Sequence, residues 1–213
     1  MNRRPLPVAA VLAAAFTLTL PGRLAAFWPG PGLLGQRTYG LDAGIESYYG
    51  HSLANAFGAT AGVNLPVLPG LDAALSYSAA HLTSAGGGRT PEALSVSAID
   101  YTEAEYGKSY VSVTVGHAWD INGLMGVTET NGDSFWEVGT GVEVVYGRTT
   151  TVNYGVGYSA SFDRNGRNPA WRYSVLASHW FTRRLAGVVG VSYRQIRHAP
   201  DSLLYTIGIR VSF

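Results

Sequence analysis

Thr149–Phe162 reads TTTVNYGVGYSASF. Val152, Tyr154, Val156, Tyr158, Ala160 and Phe162 fall on one phase of this stretch. Thr151, Asn153, Gly155, Gly157, Ser159 and Ser161 fall on the other. Successive side chains of a strand point to opposite faces, so a period of two predicts a strand with one apolar face and one small, polar face. Upstream, across a tight Gly147-Arg148 turn, Ser134–Gly147 repeats the pattern. There Trp136, Val138, Val142, Val144 and Tyr146 oppose Glu137, Gly139, Gly141 and Glu143.

The same alternation extends over most of the chain. Arg37–Tyr49 sets Tyr39, Leu41, Ala43 and Ile45 against Gly40, Asp42, Gly44 and Glu46. Leu53–Leu65 and Leu71–Leu82 follow, separated by a proline-containing turn over Leu65–Gly70. In the second of these, Leu71, Ala73, Leu75 and Tyr77 oppose Asp72, Ala74, Ser76 and Ser78. Lys108–Trp119 places Val111, Val113, Val115 and Trp119 on one side. Downstream, Trp171, Tyr173, Val175, Ala177 and Phe181 oppose Arg172, Ser174 and Ser178. Leu185, Val189, Val191 and Tyr193 then oppose Gly190, Ser192 and Arg194. In the final stretch Leu203, Tyr205, Ile207, Ile209, Val211 and Phe213 oppose Thr206, Gly208, Arg210 and Ser212. Glu92–Tyr106 is ambiguous: Leu94, Val96 and Ala98 alternate, but Asp100, Glu103 and Glu105 break the pattern. Either a bulge shifts the register there or the strand ends early in a loop.

Alternation alone fits a soluble sandwich or barrel as well as a membrane barrel. What populates the second face decides between them. A water-facing surface would be rich in Lys, Glu and Thr; here the face is Gly, Ser, Thr and Asn with a few charges, and lysine occurs once, at Lys108. Charged residues are 14% of the 213-residue chain, against roughly 25% in soluble domains. Mean hydropathy is only +0.08, and beyond the N-terminus no apolar run approaches the ~18 residues of a membrane helix. Strands can cross a bilayer only as a closed barrel, because an open sheet leaves backbone groups unpaired in hydrocarbon. Aromatics collect near the strand ends, at Tyr39, Tyr49, Trp119, Trp136, Tyr146, Trp171, Phe181, Tyr193, Tyr205 and Phe213, as in interfacial girdles.

The N-terminus is read separately. Arg3 and Arg4 precede an apolar stretch from Val8 to Leu20, Pro21-Gly22 break it, and Leu24-Ala25-Ala26 suits signal peptidase. Residues 1–26 are therefore expected to be a cleaved signal peptide. Arg3, Arg4 and Arg23 leave with it, so 12 basic and 14 acidic residues remain, net −2. Residues 27–36 (FWPGPGLLGQ) form a periplasmic leader, and 37–213 form the barrel. Single-chain bacterial barrels use an even number of strands. The nine clear runs plus Glu92–Tyr106 give ten, with eight as the alternative. Ten strands put loops 50–52, 83–91, 120–133, 163–169 and 198–201 outside and the shorter turns in the periplasm. The fold class is thus all-β, a closed antiparallel up-and-down transmembrane barrel.

Signal peptide, amphipathic strands and the ending YTIGIRVSF resemble the small bacterial outer-membrane β-barrel proteins. The resemblance covers about residues 37–213. It implies residence in the outer membrane, contact with its lipid, and recognition of Tyr205, Ile207, Ile209, Val211 and Phe213 by the barrel-assembly machinery during insertion. It is specific for class and weak for activity, because fold does not fix function.

The candidate site is the polar lumen cluster Asp42, Glu46, Asp72, Glu137, Glu143, Arg172, Arg194 and Arg210. It reads as a salt-bridged filling, since charges in a narrow lumen must pair to offset desolvation. An ion path or ligand site is the alternative. Small barrels are filled by side chains, and open channels come with 16 or more strands. No catalytic set is expected. His51, His81, His117, His179 and His198 form no pair at metal-ligand spacing, and His117 and His179 sit on the lipid-facing phase near strand ends. An enzymatic barrel would need Ser or Asp beside a His at the membrane edge. Gly86-Gly87-Gly88 lacks the rest of a phosphate loop and reads as a flexible loop. The absence of cysteine excludes disulfides, thiolate metal sites and cysteine nucleophiles. No basic stripe suggests nucleic acid. No cofactor is implied, and a monomer is expected. Three roles follow in order: a structural or surface-interaction barrel, a small porin-like transport or ligand-binding barrel, and a lipid-modifying enzyme.

Overall fold

The computed structural model describes residues 34–48, 55–82, 92–119, 132–162, 169–196 and 201–213. The expected signal peptide, most of the leader, His51, His198, Gly86–Gly88 and nearly all of the expected outer loops lie outside them. Ten strands are present: β1 Thr38–Tyr48, β2 Asn55–Leu68, β3 Leu71–Leu82, β4 Glu92–Ala104, β5 Gly107–Trp119, β6 Gly132–Tyr146, β7 Thr150–Ser161, β8 Ala170–Trp180, β9 Leu185–Ile196 and β10 Ser202–Ser212. Each pairs antiparallel with its sequence neighbours, and β1 pairs with β10, so the sheet closes into an up-and-down barrel. Closure leaves no edge strand. The eight-strand alternative is set aside.

Four tight connections (β2–β3, β4–β5, β6–β7 and β8–β9) lie at one end, with the start of β1 and the finish of β10. This is called the turn end, and the opposite one the loop end. Gly70 turns β2 into β3 with φ +82°, a left-handed conformation that glycine adopts without a Cβ penalty.

Two sequence expectations are corrected. The ambiguous segment is an unbroken strand, β4, in continuous register with β3 and with β5. Neither a bulge nor an early end occurs there. Ile99 points inward and is buried, while Asp100 points out close to the turn end. The irregularity lies instead between Pro66 and Leu68 of β2. That stretch was expected to be a turn, yet the strand runs through to Leu68. Proline lacks the N–H a regular ladder needs, and a bulge is where a sheet tolerates it.

The polarity of the wall is the reverse of a soluble protein's. The outer surface carries Phe57 (58% exposed), Val113 (50%), Val189 (55%) and Ile207 (62%), among many other large apolar side chains. The buried residues are mainly polar and line the lumen: Ser76, Ser78, Ser95, Ser97, Ser112, Thr60, Thr114, Asn153 and the charges described below. Small hydroxyls make a lining that bonds to itself. Ser76 Oγ and Ser95 Oγ are 2.7 Å apart, Ser97 Oγ and Thr114 Oγ1 are 2.8 Å apart, and Ser112 donates to the Gly139 carbonyl at 3.2 Å.

Candidate functional site

Strand register places the lumen charges at three levels. At the closure between β1 and β10, Gly40 faces Arg210 and Asp42 faces Gly208. The charged residues therefore meet diagonally: Arg210 Nη1 donates to Asp42 Oδ1 at 2.5 Å and to the Ile209 carbonyl at 3.0 Å. Arg210 is 1% exposed and Asp42 2%. Both glycines make room for this pair. A Cβ on Gly40 would stand 2.9 Å from Arg210 Nε, and one on Gly208 would run into the Asp42 carboxylate. On the outer face of the same seam, Tyr39 stacks on Phe213 with centroids 4.2 Å apart, and the Phe213 N–H donates to the Arg37 carbonyl. Tyr205, Ile207, Ile209 and Val211 all face outward along β10.

A second pair crosses the lumen wall. Arg172 of β8 donates to Glu137 of β6, reaching over Gly157 of the intervening β7. Arg194 of β9 is buried directly opposite Arg172 in the register. Glu46 lies on β1 opposite Leu204; its side chain is outside the described residues.

The third level, at the turn end, holds Asp72 and Glu143 with residues the sequence reading did not select. These are Asn64, Tyr101, Lys108, Tyr110 and the end of the leader. Leu34 is 2% exposed and packs with Ala74, Ile99 and Tyr110, with Tyr101 against them. Its carbonyl accepts from Lys108 Nζ at 2.6 Å, and its N–H points to the Glu143 carboxylate. The Gly35 N–H donates to Asp72 Oδ2 at 2.8 Å. Asn64 Nδ2 donates to that same oxygen at 2.8 Å and to the Gln36 carbonyl at 3.1 Å. Tyr110 Oη donates to Asn153 Oδ1 at 3.1 Å. A cavity of about 570 Å³ opens beside Leu34 and Gln36, lined also by Lys108, Glu143, Arg148 and Trp180. Lys108 was legible as the sole lysine, but nothing local in the sequence says that its partner is a backbone carbonyl 74 residues away.

Across these levels, Asp42, Asp72, Glu137 and Glu143 are matched by Arg172, Arg194, Arg210 and Lys108. Acids and bases are thus interspersed along the described lumen, as burial requires, and Lys108 also lies 3.7 Å from Glu103. The second oxygens of Asp72, Glu137 and Glu143 and the Asn64 carbonyl oxygen have no hydrogen-bond partner. Such buried acceptors are costly unless water reaches them, which makes small pockets of lumen water the expectation.

Two hydroxyl–imidazole pairs lie on the outer face. His117 Nδ1 and Ser134 Oγ are 2.8 Å apart near the loop end, and His179 Nδ1 and Thr150 Oγ1 are 2.8 Å apart at the turn end. Each joins residues directly opposite in the register. Each ring also meets the aromatic two positions on, Trp119 at 4.9 Å or Phe181 at 5.2 Å. The sequence reading put both histidines at the interface and did not see their hydroxyl partners, which are set by cross-strand register. Among the described residues no group of three or more His, Asp or Glu is placed to hold a metal ion.

No protein-family profile and no curated protein sequence matches the chain. Solved structures do. The translocator domain of the autotransporter NalP from Neisseria meningitidis superposes with a TM-score of 0.51 at 10% identity, covering 84% of this chain and 88% of that one. An outer-membrane channel from Pseudomonas putida F1 superposes with a TM-score of 0.53 at 9% identity, covering 88% and 97%. At such identities the likeness shows fold alone. The chain has the architecture of the bacterial outer-membrane β-barrels, in a small ten-stranded form.

Proposed function

We propose that the chain is an integral barrel of the bacterial outer membrane with a structural or surface-interaction role and a narrow lumen filled by polar side chains. The observation that carries this reading is the reversed polarity of the wall. A continuous belt of exposed Val, Ile, Leu, Phe and Tyr is untenable in water and ordinary in lipid. The turn end then faces the periplasm and the loop end the exterior. Contact with outer-membrane lipid, insertion by the assembly machinery through the β10 pattern, and a monomeric state belong to the same reading. The lumen supports closure over conduction: Arg210, Phe135, Asp42 and Glu137 are all at most 2% exposed, so these inward side chains pack against one another and the wall. Planar-bilayer recording tests it. The folded protein is expected to give no stable conductance steps, and steps at low voltage would favour the transport alternative.

A second reading is favoured by one observation. Ser134 and His117 meet at the outer edge of the wall, where an enzyme acting on lipid would set a nucleophile and base. The Thr150–His179 pair reproduces the geometry from register alone, which supports a structural origin for both. Ser134→Ala and His117→Ala are expected to leave phospholipid and lipid A mass spectra unchanged; a product lost in both variants would establish the enzymatic reading.

A further inference from the structure

We propose that the turn end of the lumen is a binding site for a tight turn of peptide backbone, and that residues 34–36, the end of the chain's own leader, occupy it as a plug. The proposal is independent of whether the mid-lumen conducts. The site offers four backbone groups of the segment a complement. Lys108 meets the Leu34 carbonyl, Glu143 the Leu34 N–H, Asp72 the Gly35 N–H, and Asn64 the Gln36 carbonyl. These side chains come from β5, β6, β3 and β2, so four strands converge on three residues. One apolar pocket, formed by Ala74, Ile99 and Tyr110, takes the Leu34 side chain. The Leu34 side chain fills it.

Gly35 is the pivot of the arrangement. Its φ is +81°, and a Cβ there would lie 2.6 Å from Tyr101 Oη and 3.3 Å from Lys108 Nζ. Any larger residue is both strained and obstructed. The site therefore selects a leucine followed by glycine. It reads the rest of the turn through main-chain N–H and carbonyl groups. The turn sits beside the cavity lined by Lys108, Glu143 and Arg148 and fills only part of the lumen end.

Two features of the chain allow a direct test on the full-length folded protein. It has one lysine, Lys108, and no cysteine. Acylation of Lys108 by a water-soluble amine reagent, read by mass spectrometry, reports release of the Leu34 carbonyl. Gly35→Val alters the leader and no wall residue. It is expected to speed acylation about tenfold, as a shift of local opening by one order of magnitude would, while heat-modifiable gel mobility stays native. A Gly35→Val protein with native mobility and wild-type acylation rate would overturn the proposal. A second measurement guards against lysine-specific effects. With Leu34→Cys, an impermeant maleimide is expected to react far more slowly than with Arg148→Cys on the exposed turn. Equal rates would also overturn it. Protection of Leu34→Cys in a protein that conducts would leave the plug standing and remove the non-conducting reading. Rapid labelling in a silent protein would do the reverse.

Discussion

At the scale of single residues, the lumen ion pairs dominate. Arg172→Ala leaves Glu137 buried without its guanidinium, and breaking such a pair costs about 3–5 kcal/mol. Chemical unfolding in detergent micelles should show that loss. The double variant Glu137→Gln, Arg172→Gln removes both charges together and should cost less than the single one. Gly208→Ala acts differently. It adds a methyl where the Asp42 carboxylate sits, and overpacking of this kind costs about 1–3 kcal/mol. Asp42 and Arg210 were visible in the sequence because phase alone assigns a residue to the inner face. Their partnership was not visible, because it depends on which strands meet at closure. Asn64, Tyr110 and Gly35 were invisible for a stronger reason. Their roles arise only when the leader folds back against four strands, and no local pattern encodes that encounter.

At the scale of elements, depth in the wall sets the cost of a charge. Val113→Arg, midway along β5 and facing out, should destabilise by about 2–4 kcal/mol. Tyr146→Arg, at the turn end of β6, should cost about 0–1. Equal penalties in lipid-vesicle refolding would contradict the proposed membrane position. The seam between β1 and β10 is clasped on both faces, by Arg210–Asp42 inside and by Tyr39–Phe213 outside. Phe213→Ala should remove an aromatic contact of about 0.5–1.5 kcal/mol, read as a lower melting temperature of the cold-SDS-resistant form. Strand phases were legible because a pleated chain has a period fixed by geometry. The ends were harder. Asp100 mimics a loop because an acid is admissible on the outer face near the turn end, Glu103 lies on the inward phase within 3.7 Å of Lys108, and Glu105 belongs to the turn itself; sequence gives none of these depths. Pro66 mimics a turn because proline normally ends a strand, and the bulge that absorbs it is a property of the β2–β3 pair.

At the scale of the whole molecule, sequence and structure agree on a ten-stranded closed barrel turned inside out relative to a soluble one. The folded form should resist cold SDS and shift its gel mobility only on boiling; extraction from membranes by carbonate would contradict integration.

The β1–β10 seam joins residues 168 positions apart, and that span imposes an order in time. Every other pairing unites strands that leave the ribosome one after the other. The first strand alone must wait for the last, with its edge bare and its carboxylate unmatched until β10 docks. A chain that lacks β10 therefore does not yield a slightly weaker cylinder. It yields an open ribbon with two adhesive margins, a substrate for aggregation and for quality-control proteases. Deleting β10 should be as damaging as deleting β1.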